Sequence, residues 1–335
     1  MSISQGESKC LSLRKNTNII PPIVPLKSKE LPMLRIILVP LFAVILSVQV
    51  LGPAGRSEKS TYIVSSSWVA ERLGSPEVVL LHVGDKAQYD TAHIPGAQYI
   101  GTSEISTPRG EGLLTLEIPS VSQLDSAFES KGISDNSIVV VYYGNDWVSP
   151  TGRVYLTLDY IGLSDRTYIL DGGMRAWTRE GRSVTSNVVT PKRGSFTPHE
   201  QKDVIAHLDW VKKNLDNSSV SIVDARTPDF YSGERLGNAD RPGHIPGATN
   251  IPYSDMVDDS LMFKPIETLR EMFLQNGVGS GETVVSYCHI GQQASLVYFV
   301  ARLLGYDARM YDGSAQEWSR NPVLPLVVEK QAARQ

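Results

Sequence analysis

Val284-Val285-Ser286-Tyr287-Cys288-His289-Ile290-Gly291-Gln292-Gln293-Ala294-Ser295 is the stretch on which the reading of this chain turns. Val284 to Tyr287 is too short and too β-branched for a helix and suits a strand. A polar, glycine-containing segment opening on a cysteine follows, and Leu296 to Leu304 is then apolar enough for a buried helix. A loop wrapped onto a helix N-terminus aims several backbone N–H groups at one point and adds the positive end of the helix. That setting favours thiolate over thiol at Cys288, and a protonated His289 would add to the effect. Gly291 permits the tight curvature, and the amides of residues 289 to 293 (His289, Ile290, Gly291, Gln292 and Gln293) are the donors expected to face the sulfur. The competing reading, a cysteine acting as a small buried hydrophobe, fits the polar flank poorly.

Working outward, the surroundings of this stretch occur twice, about 145 residues apart. His93-Ile94-Pro95-Gly96-Ala97 recurs as His244-Ile245-Pro246-Gly247-Ala248. Asp171-Gly172-Gly173 with Trp177 recurs as Asp312-Gly313-Ser314 with Trp318. Ile138 to Tyr142, followed by a helical stretch from Val154 to Gly162, mirrors Val284 to Tyr287 and the stretch from Ala294 to Gly305. The chain is therefore a duplicated domain. Expected boundaries are 60–182 for the first copy, 201–328 for the second, and a polar linker over 183–200 with two prolines.

Each copy alternates strand and helix, which implies α/β architecture: a parallel sheet with helices on both faces. In the second copy the expected elements are a strand at Ser221 to Asp224, a helix from Ile266 to Gln275, and a brief edge of strand at Met310-Tyr311. Ligand sites of such sheets lie beyond the carboxyl ends of the strands, where Cys288 falls. Aligning Val139–Tyr142 with Val284–Tyr287 puts Tyr143 at the position of Cys288. The loop Gly144 to Pro150 reads as about two residues longer and has no thiol. Its Trp147 either walls a cleft or packs as an ordinary tryptophan.

Cysteine usage and charge narrow the classes. Cys10 and Cys288 are the only two cysteines, so no CxxC, zinc ribbon or thioredoxin-type motif is available. The net charge of -4, with no large Lys/Arg cluster, sets nucleic-acid binding aside. A cysteine phosphatase of related topology needs an arginine six positions after its nucleophile, and Ala294 stands there.

The HIPGA turn, the strand-Cys-loop-helix, and Tyr311-Asp312-Gly313-Ser314 with Trp318 together resemble the rhodanese sulfurtransferases, over about four-fifths of the chain. The resemblance is to the tandem type, with an inactive first copy and a catalytic second one. It implies that Cys288 takes a sulfane sulfur from a small sulfur-containing donor, thiosulfate or a mercapto acid. A persulfide then passes that sulfur to a thiophilic acceptor such as cyanide or a thiol, with no metal and no organic cofactor. A non-catalytic sulfur-carrier or binding module is the alternative. Thiosulfate-using members carry Arg and Lys directly after the cysteine, where this chain has His289 and Ile290, and an Arg where it has Phe230. The Cys-Gly-Ser/Thr-Gly loop of mercaptopyruvate-using members is absent too. Arg235 and Arg241 are candidates for replacement charge, against the reading that they are solvated loop residues. Asp224 and Arg226 are expected to pair and steady the loop. His93 and His244 are expected to fix turns, and Trp177 and Trp318 to pack in the core.

The N-terminus carries its own expectations. Residues 1–32 are a polar leader, and Met33 reads as an alternative start. Residues 33–55 have the layout of a signal peptide: Arg35, an apolar run from Ile36 to Leu51 interrupted by Pro40, then small residues. Export to a periplasmic or extracellular space is expected. The alternative is an uncleaved anchor at 36–51, the one case that would make a membrane a partner.

Overall fold

The computed structural model describes residues 62–329, apart from 109, 111, 112, 145, 146 and 238. The leader, the signal or anchor segment and Cys10 lie outside the described residues. Among those described, no helix is long and apolar enough to cross a membrane.

The first copy runs β1 (Ile63–Val64), α1 (Ser66–Ala70), β2 (Val78–Val83), α2 (Lys86–Thr91), β3 (Gln98–Ile100), α3 (Val121–Ser130), β4 (Ile138–Tyr143), α4 (Ser149–Tyr160), β5 (Thr167–Leu170) and α5 (Gly173–Arg179). The second runs β6 (Ile205–Ala206), α6 (Leu208–Lys213), β7 (Val220–Asp224), α7 (Pro228–Tyr231), β8 (Thr249–Asn250), α8 (Ile266–Gln275), β9 (Thr283–Tyr287), α9 (Ala294–Leu303), β10 (Asp307–Tyr311) and α10 (Ser314–Arg320). Each forms a five-stranded parallel sheet, ordered β1-β5-β4-β2-β3 and β6-β10-β9-β7-β8, so the two topologies coincide. Both faces of each sheet are covered. Along β4, Val139 and Val141 enter one core while Val140 and Tyr142 enter the opposite one. Along β9, Val284 and Cys288 face one core, and Val285 and Tyr287 the other.

Two expectations change. Met310-Tyr311 is no edge: β10 lies between β6 and β9, because two residues at the start of the copy, Ile205 and Ala206, supply the edge strand. The first copy's loop is also no longer than its counterpart. Tyr142 and Tyr287 occupy matching places, each hydroxyl accepting an N–H from the HIPGA turn, Ile94 and Ile245 respectively, at 3.1 Å. From Tyr143 and from Cys288 the chain takes the same number of residues to its helix, since Pro150 is already in the first turn of α4. Proline suits that turn, where its missing N–H would have no partner in any case.

The two copies share a core. Every residue of α4 from Ser149 to Asp159 is buried, and α4 packs on α9. Tyr155 meets Phe299 edge-on at 4.8 Å, and Asp159 accepts from Tyr298 Oη at 2.5 Å and pairs with Arg302 at 3.2 Å. Burying each such aromatic or leucine side chain is worth about 1.5–3 kcal/mol, so neither copy would leave this face in water without loss. The segment 183–200 has almost no regular structure, but it is strapped to the first copy. Thr185 bridges His93, Gly194 donates to Glu129 O at 2.8 Å, and Phe196 is buried.

Candidate active site

Cys288 follows β9 directly and is wholly buried, yet it lines a cavity of about 460 Å³. The loop is pinned through its carbonyls. The first amides of α10, Ala315 and Gln316, donate to Cys288 O and His289 O at 3.0 Å each. Ser295 Oγ donates to Gln292 O at 2.7 Å, and Leu296 N to Gln293 O at 3.1 Å. The Cys288 amide donates to Ser314 Oγ at 3.3 Å. By contrast, the N–H groups of His289 to Gln293 find no protein acceptor among the described residues. Five donors in one turn, ending at a ten-residue helix, are suited to an anionic atom. Gly291 has φ +83°, the left-handed conformation that a side chain would strain.

The charges around the loop differ from expectation. Burial, then the neighbouring Arg226, pushes His289 down to about 4, so its ring is neutral at neutral pH and adds no positive charge. It lies edge-on to Phe230 at 4.5 Å, so two positions that the resemblance associates with cations hold a ring pair instead. The cation that acts on this region is Arg226. It is buried and bidentate on Asp224 through Nε and Nη2 (3.0 and 2.5 Å), and it also donates to Gly243 O at 2.9 Å. Burial opposes its charge, but the Asp224 carboxylate holds it protonated above its usual range, and it interacts electrostatically with Cys288. The expected Asp224–Arg226 pair is therefore present behind the loop.

Neither proposed replacement charge reaches the cavity. Arg235 is largely exposed, paired with Asp229 at 2.8 Å and laid over the Phe230 ring at 4.3 Å. Arg241 does not line the cavity and is half-buried rather than solvated. It donates to the carbonyls of Ser319, Asn321 and Leu324 at 2.9, 2.7 and 2.9 Å, closing the end of α10. His93 and His244 act alike in both copies, bonding the carbonyls of Tyr89 and Tyr231 at 2.7 and 2.8 Å through Nδ1. Trp177 and Trp318 are buried in the cores.

Trp147 walls the cavity, as one of its two expected roles had it, and the first copy adds further residues that the sequence did not point to. Asp85 follows β2, Tyr99 lies on β3, Thr102 and Ser103 follow it, and Trp147 follows β4; all of them line the cavity. Arg153 of α4 reaches across to Asp312 Oδ1 at 2.8 Å and also donates to Leu116 O. Ser314 was also missed. The available signal was that Cys288 and Ser314 both change in the other copy, to Tyr143 and Gly173.

A model of the rhodanese-like domain matches residues 65–180 and 207–321. The chain belongs to the rhodanese-like family. Among its rhodanese-like relatives, a sulfur carrier protein, TtuD, of Thermus thermophilus is 32% identical over 280 residues, covering 79% of this chain and 95% of the relative. A thiosulfate sulfurtransferase of Azotobacter vinelandii is 29% identical over 269 residues, covering 79% and 96%. Among solved structures, an anaerobic ergothioneine biosynthesis enzyme from Chlorobium limicola superimposes with a TM-score of 0.71 at 22% identity, over 83% of this chain and 72% of the other, a likeness of fold.

Proposed function

We propose that this rhodanese-like protein is a sulfurtransferase that works through a persulfide on Cys288. The Cys288 sulfur, as thiolate, attacks the outer sulfane sulfur of a small donor. The bond from that sulfur to the rest of the donor breaks, and its electron pair leaves with the donor remnant. The acceptor then attacks the same outer sulfur, the S–S bond breaks, and Cys288 regains its thiolate. Each step exchanges one bond to sulfur for another, so no external oxidant enters. The observation that carries this reading is the set of amides from His289 to Gln293, which have no protein acceptor among the described residues and directly follow Cys288; His289, Ile290, Gln292 and Gln293 line the same cavity as the thiol. They would hold the outer sulfur as an anion. Thiosulfate and mercaptopyruvate are the donors to try first, each with cyanide as acceptor. Turnover with either, lost in Cys288→Ser, supports the reading; no sulfur gained by Cys288 from any donor defeats it.

A second reading, persulfide carriage to a protein partner without small-molecule turnover, is favoured by the relative named a sulfur carrier protein. Stoichiometric persulfide seen by intact mass, without turnover, would select it. We also propose that residues 33–55 direct export. N-terminal sequencing of the purified protein tests this, and a mature chain beginning at Met1 or Ser2 would count against it.

A further inference from the structure

The wall of the cavity facing Cys288 comes from the copy that has no thiol, and its chemistry is unsuited to a small dianion. Asp85 presents a carboxylate of which Oδ1 caps α2 through the Ala87 amide at 2.8 Å. Tyr99 and Trp147 present rings, and Trp147 remains substantially exposed at the rim. No lysine or arginine is among the described residues that line the cavity. Among the described residues, four neighbouring cations are engaged elsewhere: Arg153 with Asp312, Arg226 with Asp224, Arg235 with Asp229 and Lys86 with Asp90. Lys86 Nζ, held by Asp90 at 2.5 Å, stands 5.5 Å from both the Tyr89 and the Tyr99 ring centroids.

We infer that the sulfur acceptor of this protein is an organic cation with an apolar body, recognised by the Asp85 carboxylate and the Tyr99 and Trp147 rings of the silent copy. This rests on the reading of Cys288 as a persulfide carrier and specifies what approaches it. The loop amides can hold one negative sulfur, but beyond them no lysine or arginine among the described lining residues offers a second anion a partner. A cationic acceptor is drawn both by Asp85 and by the persulfide itself, whereas an anionic one is repelled by both. With an aminothiol as acceptor, its thiol proton goes to solvent and its sulfur attacks the outer persulfide sulfur. The S–S bond to Cys288 then breaks with the pair remaining on Cys288, and an aminothiol persulfide leaves.

Two measurements on the full protein test this. The first is sulfur-free: calorimetric titration with phenyltrimethylammonium and with benzenesulfonate, which share a ring and differ in charge. The cation should bind at least about tenfold more tightly, with most of that preference lost in Asp85→Asn and overall affinity reduced in Trp147→Ala. Benzenesulfonate binding as well or better, or no saturable binding of the cation, overturns the inference. The second loads Cys288 and follows transfer to cysteamine, 2-mercaptoethanol and 3-mercaptopropionate. Rates should fall along that series by about tenfold from end to end and flatten in Asp85→Asn. A flat or reversed order with intact loading overturns the inference alone. Failure of Cys288 to load, with the cation still bound, removes sulfur transfer and the acceptor assignment together.

Discussion

The two copies agree in almost every structural device and part at one pair of positions. In the second copy Cys288 lies beside Ser314, whose Oγ takes the Cys288 amide at 3.3 Å. In the first, Tyr143 lies beside Gly173, where a Cβ would fall 2.7 Å from Tyr143 O and 2.8 Å from the ring. Both Gly173 and Ser314 have left-handed backbones, with φ +50° and +53°. In one copy that position makes room, and in the other it makes a bond. The surrounding interface is nearly two-fold. Asp171 accepts from Phe263 N at 2.9 Å and Asp312 from Ile118 N at 2.5 Å, while Leu116 and Leu261 share φ values of 63° and 64°. The symmetry breaks where Tyr143 Oη donates to Leu261 O and Arg153 donates to Leu116 O. In the first copy a ring stands where the second has its thiol, while the first copy's strand-end loops wall the second copy's site.

The comparison breaks first at the sulfur. Cys288→Ser should lower transfer by at least about a thousandfold, measured as donor turnover. Persistence of activity would mean that the two copies do not differ as described. Next is the cross-copy pair. Arg153→Met should cost about 3–5 kcal/mol in chemical denaturation, because it leaves the buried Asp312 carboxylate without its guanidinium. It should also slow transfer, since Arg153 Nη1 lies 3.2 Å from where a Cβ on Gly291 would be.

A reciprocal exchange sharpens the contrast further. Gly173→Ser should destabilise by about 2–3 kcal/mol through overpacking on Tyr143. Ser314→Gly loses two hydrogen bonds, from the Cys288 amide and to Tyr311 O, partly offset by relief at a left-handed residue, so it should destabilise by about 1 kcal/mol in chemical denaturation, less than Gly173→Ser, yet slow transfer. Equal stability effects from the two changes would deny them distinct roles.

A further contrast concerns pH. His82 of the first copy and His289 of the second are both pushed down to about 4, each mainly by burial, with His93 and Arg226 adding respectively. Between about pH 6.5 and 4 the unfolded chain binds protons that the folded chain refuses. Stability should therefore fall as pH is lowered through that window, by at most about 1.4 kcal/mol per pH unit for each histidine. Thermal midpoints across the window should show a shallower slope in His289→Gln, and an unchanged slope would contradict the neutral ring.

The repeat, the strand–helix alternation and the place of Cys288 were legible because each is written in short-range pattern: β-branched runs, turn glycines and two recurring motifs. Helix α8 falls on the residues its apolar spacing picked out, Ile266–Gln275. Pro150 misled because one residue serves equally as a loop and as a first helical turn. Met310 misled because the strand outside it, Ile205–Ala206, is too short to signal itself.

Local pattern alone also settled which copy could hold a nucleophile, since a thiol is either encoded or not. It did not settle what surrounds that thiol. His289 could be taken for a cation until its burial beside Arg226 was seen, because a side chain's charge depends on its environment. Asp85, Tyr99 and Trp147 lie more than a hundred residues from Cys288, and only the packing of α4 on α9 brings both copies' loops to one cavity. Sequence periodicity records which face of an element is buried, but not which distant element buries it, so the wall of the site belonged to the tertiary structure.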